Sequence, residues 1–208
     1  MAAPAKNQNL HGNVPDTASV VLLLIDVIND FDFEGAEPIY QNFREIAPRI
    51  AALKKKARQA NIPVVYVNDN FGKWQSDFQK LIKHCLRKEA RGKKEVSLLK
   101  PDKDDYFVLK PKHSAFYLTT LDVLLDYLKA KTLIMAGITG NICVLFTAND
   151  AFMRDFQLII PQDCVASTTE EENRHAILQM ETVLKADTTP STRLDLQRFT
   201  QENASASK

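Results

Sequence analysis

The apolar run Val20-Val21-Leu22-Leu23-Leu24-Ile25 stops abruptly at Asp26. A strand with one wet face alternates apolar and polar residues. An unbroken run of branched side chains marks a strand covered on both faces, as in parallel sheets flanked by helices. The rest of the chain repeats that beat. Pro63 to Val67 reads as a second strand ending at Asn68-Asp69, Phe107 to Leu109 as a third running into Lys110, Thr132 to Ala136 as a fourth and Gln157 to Pro161 as a fifth. Between them apolar residues recur at helical spacing. Phe43, Ile46, Ala47, Ile50, Leu53 and Ala57 form one such face, stopped by Asn61 and Pro63, and Pro48 predicts either its start or a kink. A helix is expected near 77–87. Another, bearing Leu121, Leu124, Leu125 and Leu128, follows a Thr119/Asp122 capping pattern. Val144, Leu145, Ala148, Ala151 and Phe152 mark the next, and Ile177, Met180 and Leu184 the last, behind Thr168/Thr169 and Glu171/Glu172. Alternating strands and helices predict an α/β fold with a parallel sheet between two helical layers. The weakly patterned stretch from Ala186 is expected to add a short sixth strand and then a polar tail.

With 208 residues, 45% of them hydrophobic and 25% charged, the chain reads as one globular domain over 18–200, between a polar arm (1–17) and a polar tail (201–208). A net charge of +1 gives no reason to expect a nucleic-acid or anionic-membrane partner. The longest apolar run is too short to cross a bilayer, and Met1 to Pro15 lacks the apolar core of a signal peptide. Cys85, Cys143 and Cys164 are widely spaced without a CxxC pair, so free thiols in a reducing cytoplasm are expected, with no structural zinc. The segment 70–105 is the least regular. It holds Trp74 and a basic stretch across 88–100 with Lys88, Arg91, Lys93 and Lys94. A loop of that length in an α/β domain often covers a site.

Polar residues that end strands carry the functional reading. In a doubly wound sheet the ligand crevice lies at the carboxyl ends of the strands, where the strand order reverses. Asp26 ends the first strand, Lys110 ends the third, and Cys143 follows the fourth in the turn GITGNICVL. All three are expected at one edge of the sheet. A helix N-terminus and a nearby ammonium favour a thiolate, and Asp26 can take the thiol proton.

These residues lie in LLLIDVINDF, VLKPKHSAFYLTTLDVLL and LIMAGITGNICVLFTANDAFMRDF, which resemble the three signature blocks of the isochorismatase-like cysteine hydrolases in order and spacing. The resemblance runs from about Val20 to about Leu184. It implies a Rossmann-like three-layer α/β/α fold with a mostly parallel sheet of about six strands, in a homo-oligomer such as a dimer or tetramer. It places the family's catalytic Asp, Lys and Cys on Asp26, Lys110 and Cys143. It also implies a cis Ile138–Thr139 peptide, with the backbone N–H groups of Thr139 and Cys143 forming an oxyanion hole. The implied reaction is amide hydrolysis through a thioester, without a cofactor.

Two departures narrow the expectation. Nicotinamidases of this family carry an Asp-x-His metal site with a further His after the second strand. Here the stretch reads Asp69-Asn70-Phe71-Gly72-Lys73-Trp74, with no histidine before His84, so no metal is expected. Several isochorismatases lack the cysteine that this chain has. The expected activity is therefore a metal-independent cleavage of an amide or carbamoyl C–N bond in a small molecule. Phe31, Trp74, Phe116 and Tyr117 flank the blocks and are candidates for an apolar pocket. The basic loop, through Lys93 and Lys94, could select an acidic substrate. A catalytically silent or redox-responsive binding protein on the same fold, or a nicotinamidase or isochorismatase with an atypical site, is the alternative.

Overall fold

The computed structural model describes residues 18–72 and 77–199. The proposed arm and tail, and Trp74, lie outside these. Six strands form one sheet: β1 (Val20–Ile25), β2 (Val64–Asp69), β3 (Tyr106–Lys110), β4 (Thr132–Ile138), β5 (Gln157–Ile159) and β6 (Val165–Ala166). Helices α1 (Ala36–Gln59), α2 (Phe78–Cys85), α3 (Lys93–Leu98), α4 (Leu121–Leu128), α5 (Leu145–Phe152) and α6 (Glu170–Thr182) accompany them. A π-helical turn, Gly140–Val144, joins β4 to α5.

The strand order is β3-β2-β1-β4-β5, with β6 pairing the end of β4, and every pairing is parallel. All six residues of β1 are buried, as its unbroken apolar run requires. Side chains alternate along it: Leu22 and Leu24 join a core with Phe43, Ile50 and Leu53 of α1, Phe78 of α2 and Val96 of α3. Leu23 and Ile25 join the opposite core with Leu121 and Leu125 of α4, Ala148 of α5 and Met180 of α6. The protein is thus a three-layer α/β/α fold.

Three details differ from the sequence reading. Helix α1 starts at Ala36, because Ala36 and Ile39 extend the same buried stripe. It continues through Pro48, which faces solvent, where water can satisfy the carbonyl left without its amide partner. The sixth strand is Val165–Ala166; beyond Ala186 the described residues make one isolated parallel bridge, Ile159 with Asp187. Helix α4 is capped at Thr120 without a side-chain bond, while Thr119 Oγ1 accepts the Leu121 N–H at 3.1 Å. By contrast, Thr169 and Glu172 form the full capping box of α6.

Candidate active site

The order reverses between β1 and β4, and there the sheet presents its polar strand ends. Asp26 adopts φ 54, a left-handed conformation that aspartate tolerates. Its N–H still bonds Val67 O at 2.8 Å, so the strand stops while the carboxylate swings over the sheet edge. Lys110 stands opposite Asp69 in the β2–β3 register. It is two strands from β1, about 10 Å at ordinary strand spacing, which a lysine stem can bridge. Its Nζ lies 2.9 Å from Asp26 Oδ2, 3.5 Å from Cys143 Sγ and 3.8 Å from Asp69 Oδ2. Asp26 Oδ1 accepts the Asp69 N–H at 2.7 Å. The three residues expected at one sheet edge therefore meet there.

Cys143 sits in the π-helical turn, which the rest of the fold clamps. Gly137 takes φ 133 beside β1, and a Cβ there would collide with the Ile25 carbonyl oxygen and lie 2.9 Å from Ile25 C. The Ile138–Thr139 peptide is cis. Asn141 N–H donates to Ser167 Oγ at 3.1 Å, and Asn173 Nδ2 donates to Val165 O at 3.1 Å. Thr147 Oγ1 donates to Cys143 O at 2.7 Å and accepts the Ala115 N–H at 3.0 Å, tying the turn to the loop after β3. Ser167 and Asn173 support the turn and escaped the sequence reading; the full capping box beside them was the available signal.

The protonation pattern differs from the expectation of a depressed thiol. Burial, then the nearby Asp26 charge, pushes the Cys143 thiol up to about 12, although Lys110 opposes this. Burial also raises Asp26, against the opposing pull of Lys110, the Cys143 thiol and the Asp69 N–H. Burial works to discharge Lys110, but Asp26, Cys143 and Asp69 more than offset it and hold its pKa above the ordinary 10.5. The resting set is therefore a thiol and an ammonium on either side of an Asp26 carboxyl group that burial and Lys110 pull in opposite directions.

Beside this cluster lies a cavity of about 370 Å³, whose lining includes Asp30, Asp32, Phe33, Asp69, Phe71 and Leu109. Of the aromatic candidates, Phe31, Phe116 and Tyr117 fall elsewhere, while Trp74 lies outside the described residues. Phe31 is fully buried, with its ring 5.1 Å from Tyr40 and 5.2 Å from Phe43, because φ 56 at Phe31 turns the chain inward. Phe116 packs in the opposite core, under the Arg154 guanidinium at 4.6 Å, and Tyr117 is exposed. Among the described residues, Phe33 and Phe71 supply the cavity's phenyl faces. His113 is exposed and meets Phe146 edge-on, while Cys85 and Cys164 are buried, with burial pushing each up to about 12.

The donor set does not suit a metal of the nicotinamidase kind. Apolar Phe71 stands two residues after Asp69, and His84 Nε2 is engaged by Asp30 Oδ2 at 2.6 Å. Among the described residues no three His, Cys, Asp or Glu side chains gather as an ion would require. Nor, among them, is any helix long and apolar enough to cross a membrane.

Known proteins share this fold and, in sequence, this family. A solved N-carbamoylsarcosine amidase from Thermoplasma acidophilum shares the fold with TM-score 0.66 at 24% identity, over 86% of this chain and 99% of that one. The nicotinamidase/pyrazinamidase PncA from Bacillus subtilis superposes with TM-score 0.64 at 26% identity, over 83% and 100%. In sequence, the isochorismatase family protein YaaI of Bacillus subtilis (strain 168) is 45% identical over 172 residues, 83% of this chain and 94% of the relative. The isochorismatase domain model matches residues 20–190, a span that contains the Asp26–Lys110–Cys143 cluster and every strand of the sheet, and the chain belongs to the isochorismatase family of hydrolases.

Proposed function

We propose that the protein is a metal-independent cysteine hydrolase that cleaves the C–N bond of a small amide or carbamoyl compound. The observation that carries this reading is the contact set at the strand ends: Lys110 Nζ at 2.9 Å from the Asp26 carboxylate and 3.5 Å from Cys143 Sγ. Asp26 accepts the thiol proton as Cys143 Sγ bonds to the substrate carbonyl carbon. The carbonyl electrons move onto oxygen, which the backbone N–H groups of Thr139 and Cys143 receive. Collapse expels the amine or ammonia, protonated by Asp26, and leaves a thioester. A water that gives its proton to Asp26 hydrolyses the thioester and frees the thiol. The likeness to a nicotinamidase, an enzyme named for a small amide, supports a C–N substrate.

A redox-responsive role is less well supported, because oxidation follows thiolate character and burial pushes this thiol up to about 12. Ammonia or amine release from a panel of small amides and carbamoyl compounds, with Cys143→Ala alongside, tests the proposal. Turnover by the wild type should fall by about 10⁴-fold or more in the variant, as when an activated nucleophile is removed. Retention of wild-type turnover by Cys143→Ala would exclude the thiol mechanism.

A further inference from the structure

Resting on the hydrolase reading above, we propose that the substrate carries a positive charge, an ammonium or guanidinium, at the end remote from its reacting carbonyl. The cavity beside the cluster is the natural seat for that end. Its volume, about 370 Å³, is that of a small-molecule site. Asp69 belongs to both places: it lines the cavity and its Oδ2 lies 3.8 Å from Lys110 Nζ. A molecule with its carbonyl at Cys143 therefore extends past Asp69 into this space.

Among the described residues, acids outnumber bases in the lining. Asp30, Asp32, Asp69 and Asp77 face Lys80 and His84. Lys80 Nζ is 3.3 Å from Asp77 Oδ2, and Lys110 is held by Asp26, so these cations are already matched. His84 Nε2 is bonded to Asp30 Oδ2 at 2.6 Å and is approached by Arg87 Nη2 at 2.9 Å, so Arg87, which is outside the lining, is engaged there. Asp32 is tied to Asp30 only through its backbone N–H, and among the described residues no cation pairs with its carboxylate. Phe33 and Phe71, both about half exposed, offer apolar faces for the substrate's carbon chain and attractive faces for its cation. An anionic tail would enter against this field and find its solvating water replaced by carboxylates. None of the basic stretch lines this cavity, and Arg91 is paired with Glu37 at 3.0 Å. Helix α3 packs on α1, and Lys94 lines a separate surface with Arg44, Glu45 and Pro48.

The test uses one straight-chain primary amide series ending in ammonium, methyl or carboxylate, with equal chain lengths. Release of ammonia by the wild type gives kcat/KM for each, and calorimetry gives binding of each to Cys143→Ala. The ammonium member should exceed the methyl member by about tenfold in both measurements, with the carboxylate member lowest, and the preference should shrink as salt rises. Asp32→Asn should reduce the ammonium-to-methyl ratio, whereas Lys94→Ala, on the outer surface, should leave it unchanged. Equal or better turnover of the methyl or carboxylate member would overturn the charge assignment and leave the hydrolase reading standing. Ammonium-selective binding to Cys143→Ala without turnover by the wild type would do the reverse. Failure of the ammonium member to bind or react would also overturn the assignment.

Discussion

Replacing Lys110 by Met keeps an unbranched stem of similar bulk and removes only the buried cation. The side chain is fully buried, and Asp26 beside it is 10% exposed, so water cannot take over the ammonium's role. Asp26 would retain the Asp69 N–H at 2.7 Å and the thiol, but it would lose the only cation that touches it among the described residues. Removing one partner of a buried pair typically costs about 3–5 kcal/mol, because a charge is left uncompensated. That figure should hold where Asp26 is ionised and not in acid.

Asp26 has a folded pKa above its ordinary 3.8, so folding favours its protonated form. Stability from such a group is fully present below the unfolded value and is lost as pH rises through the folded value. Losing Lys110 lifts the folded value further and widens that window for the variant. Below the window both proteins carry neutral Asp26, and the wild type then buries an ammonium without its partner. Urea unfolding of both proteins at about pH 4 and about pH 7 measures the difference. The wild-type advantage should be about 3–5 kcal/mol at the higher pH and should narrow towards zero in acid. An advantage that stays constant between the two would refute the reasoning, since it would mean that Asp26 does not carry the cost.

Asp26→Asn should move two readouts in opposite directions. Hydrolysis should fall by at least about 10²-fold with loss of the general base, while the pH midpoint for alkylation of Cys143 by iodoacetamide should drop from about 12, because the carboxylate that raises the thiol is gone and Lys110 remains. A midpoint that rises would contradict the assignment of Asp26 as the thiol's proton acceptor. Gly137→Ala should destabilise the protein by more than about 3 kcal/mol, or prevent folding, since its Cβ would lie 2.9 Å from the β1 backbone at Ile25 C, where nothing flexible can yield. Thermal unfolding within a few degrees of the wild type would count against it.

The meeting of Asp26, Lys110 and Cys143 was legible because the first two end apolar runs and the third follows one across a short turn, and a parallel sheet carries all such ends to one edge. Register does the remainder: Asp69 opposite Lys110 and Ile25 opposite Gly137 fix where the three side chains converge. The pocket aromatics were not legible, since their orientation depends on single backbone torsions and distant ties. One left-handed residue sends Phe31 into the core. The loop holding Phe116 and Tyr117 is fastened to α5 through Thr147 and through Ser114 with Asp150. No periodicity announces either. Basic residues near the site in sequence likewise said little about the field inside the cavity, because α3 turns Lys94 to a different surface.

The thiol's protonation is where sequence and structure part most instructively. A helix start and a lysine argue for a thiolate when each is taken alone, but Cys143 shares its burial with a carboxylate. With Lys110 charged, carboxylate plus thiol and carboxylic acid plus thiolate have the same net charge. Moving the proton from sulfur to Asp26 therefore adds no charge to the buried cluster; it relocates one between atoms that the same ammonium touches at 2.9 and 3.5 Å. Desolvation, which penalises each ionised group separately, largely cancels from that transfer. A resting pKa near 12 is then compatible with a competent nucleophile, because the thiolate need exist only while Asp26 holds its proton and the substrate carbonyl is in place.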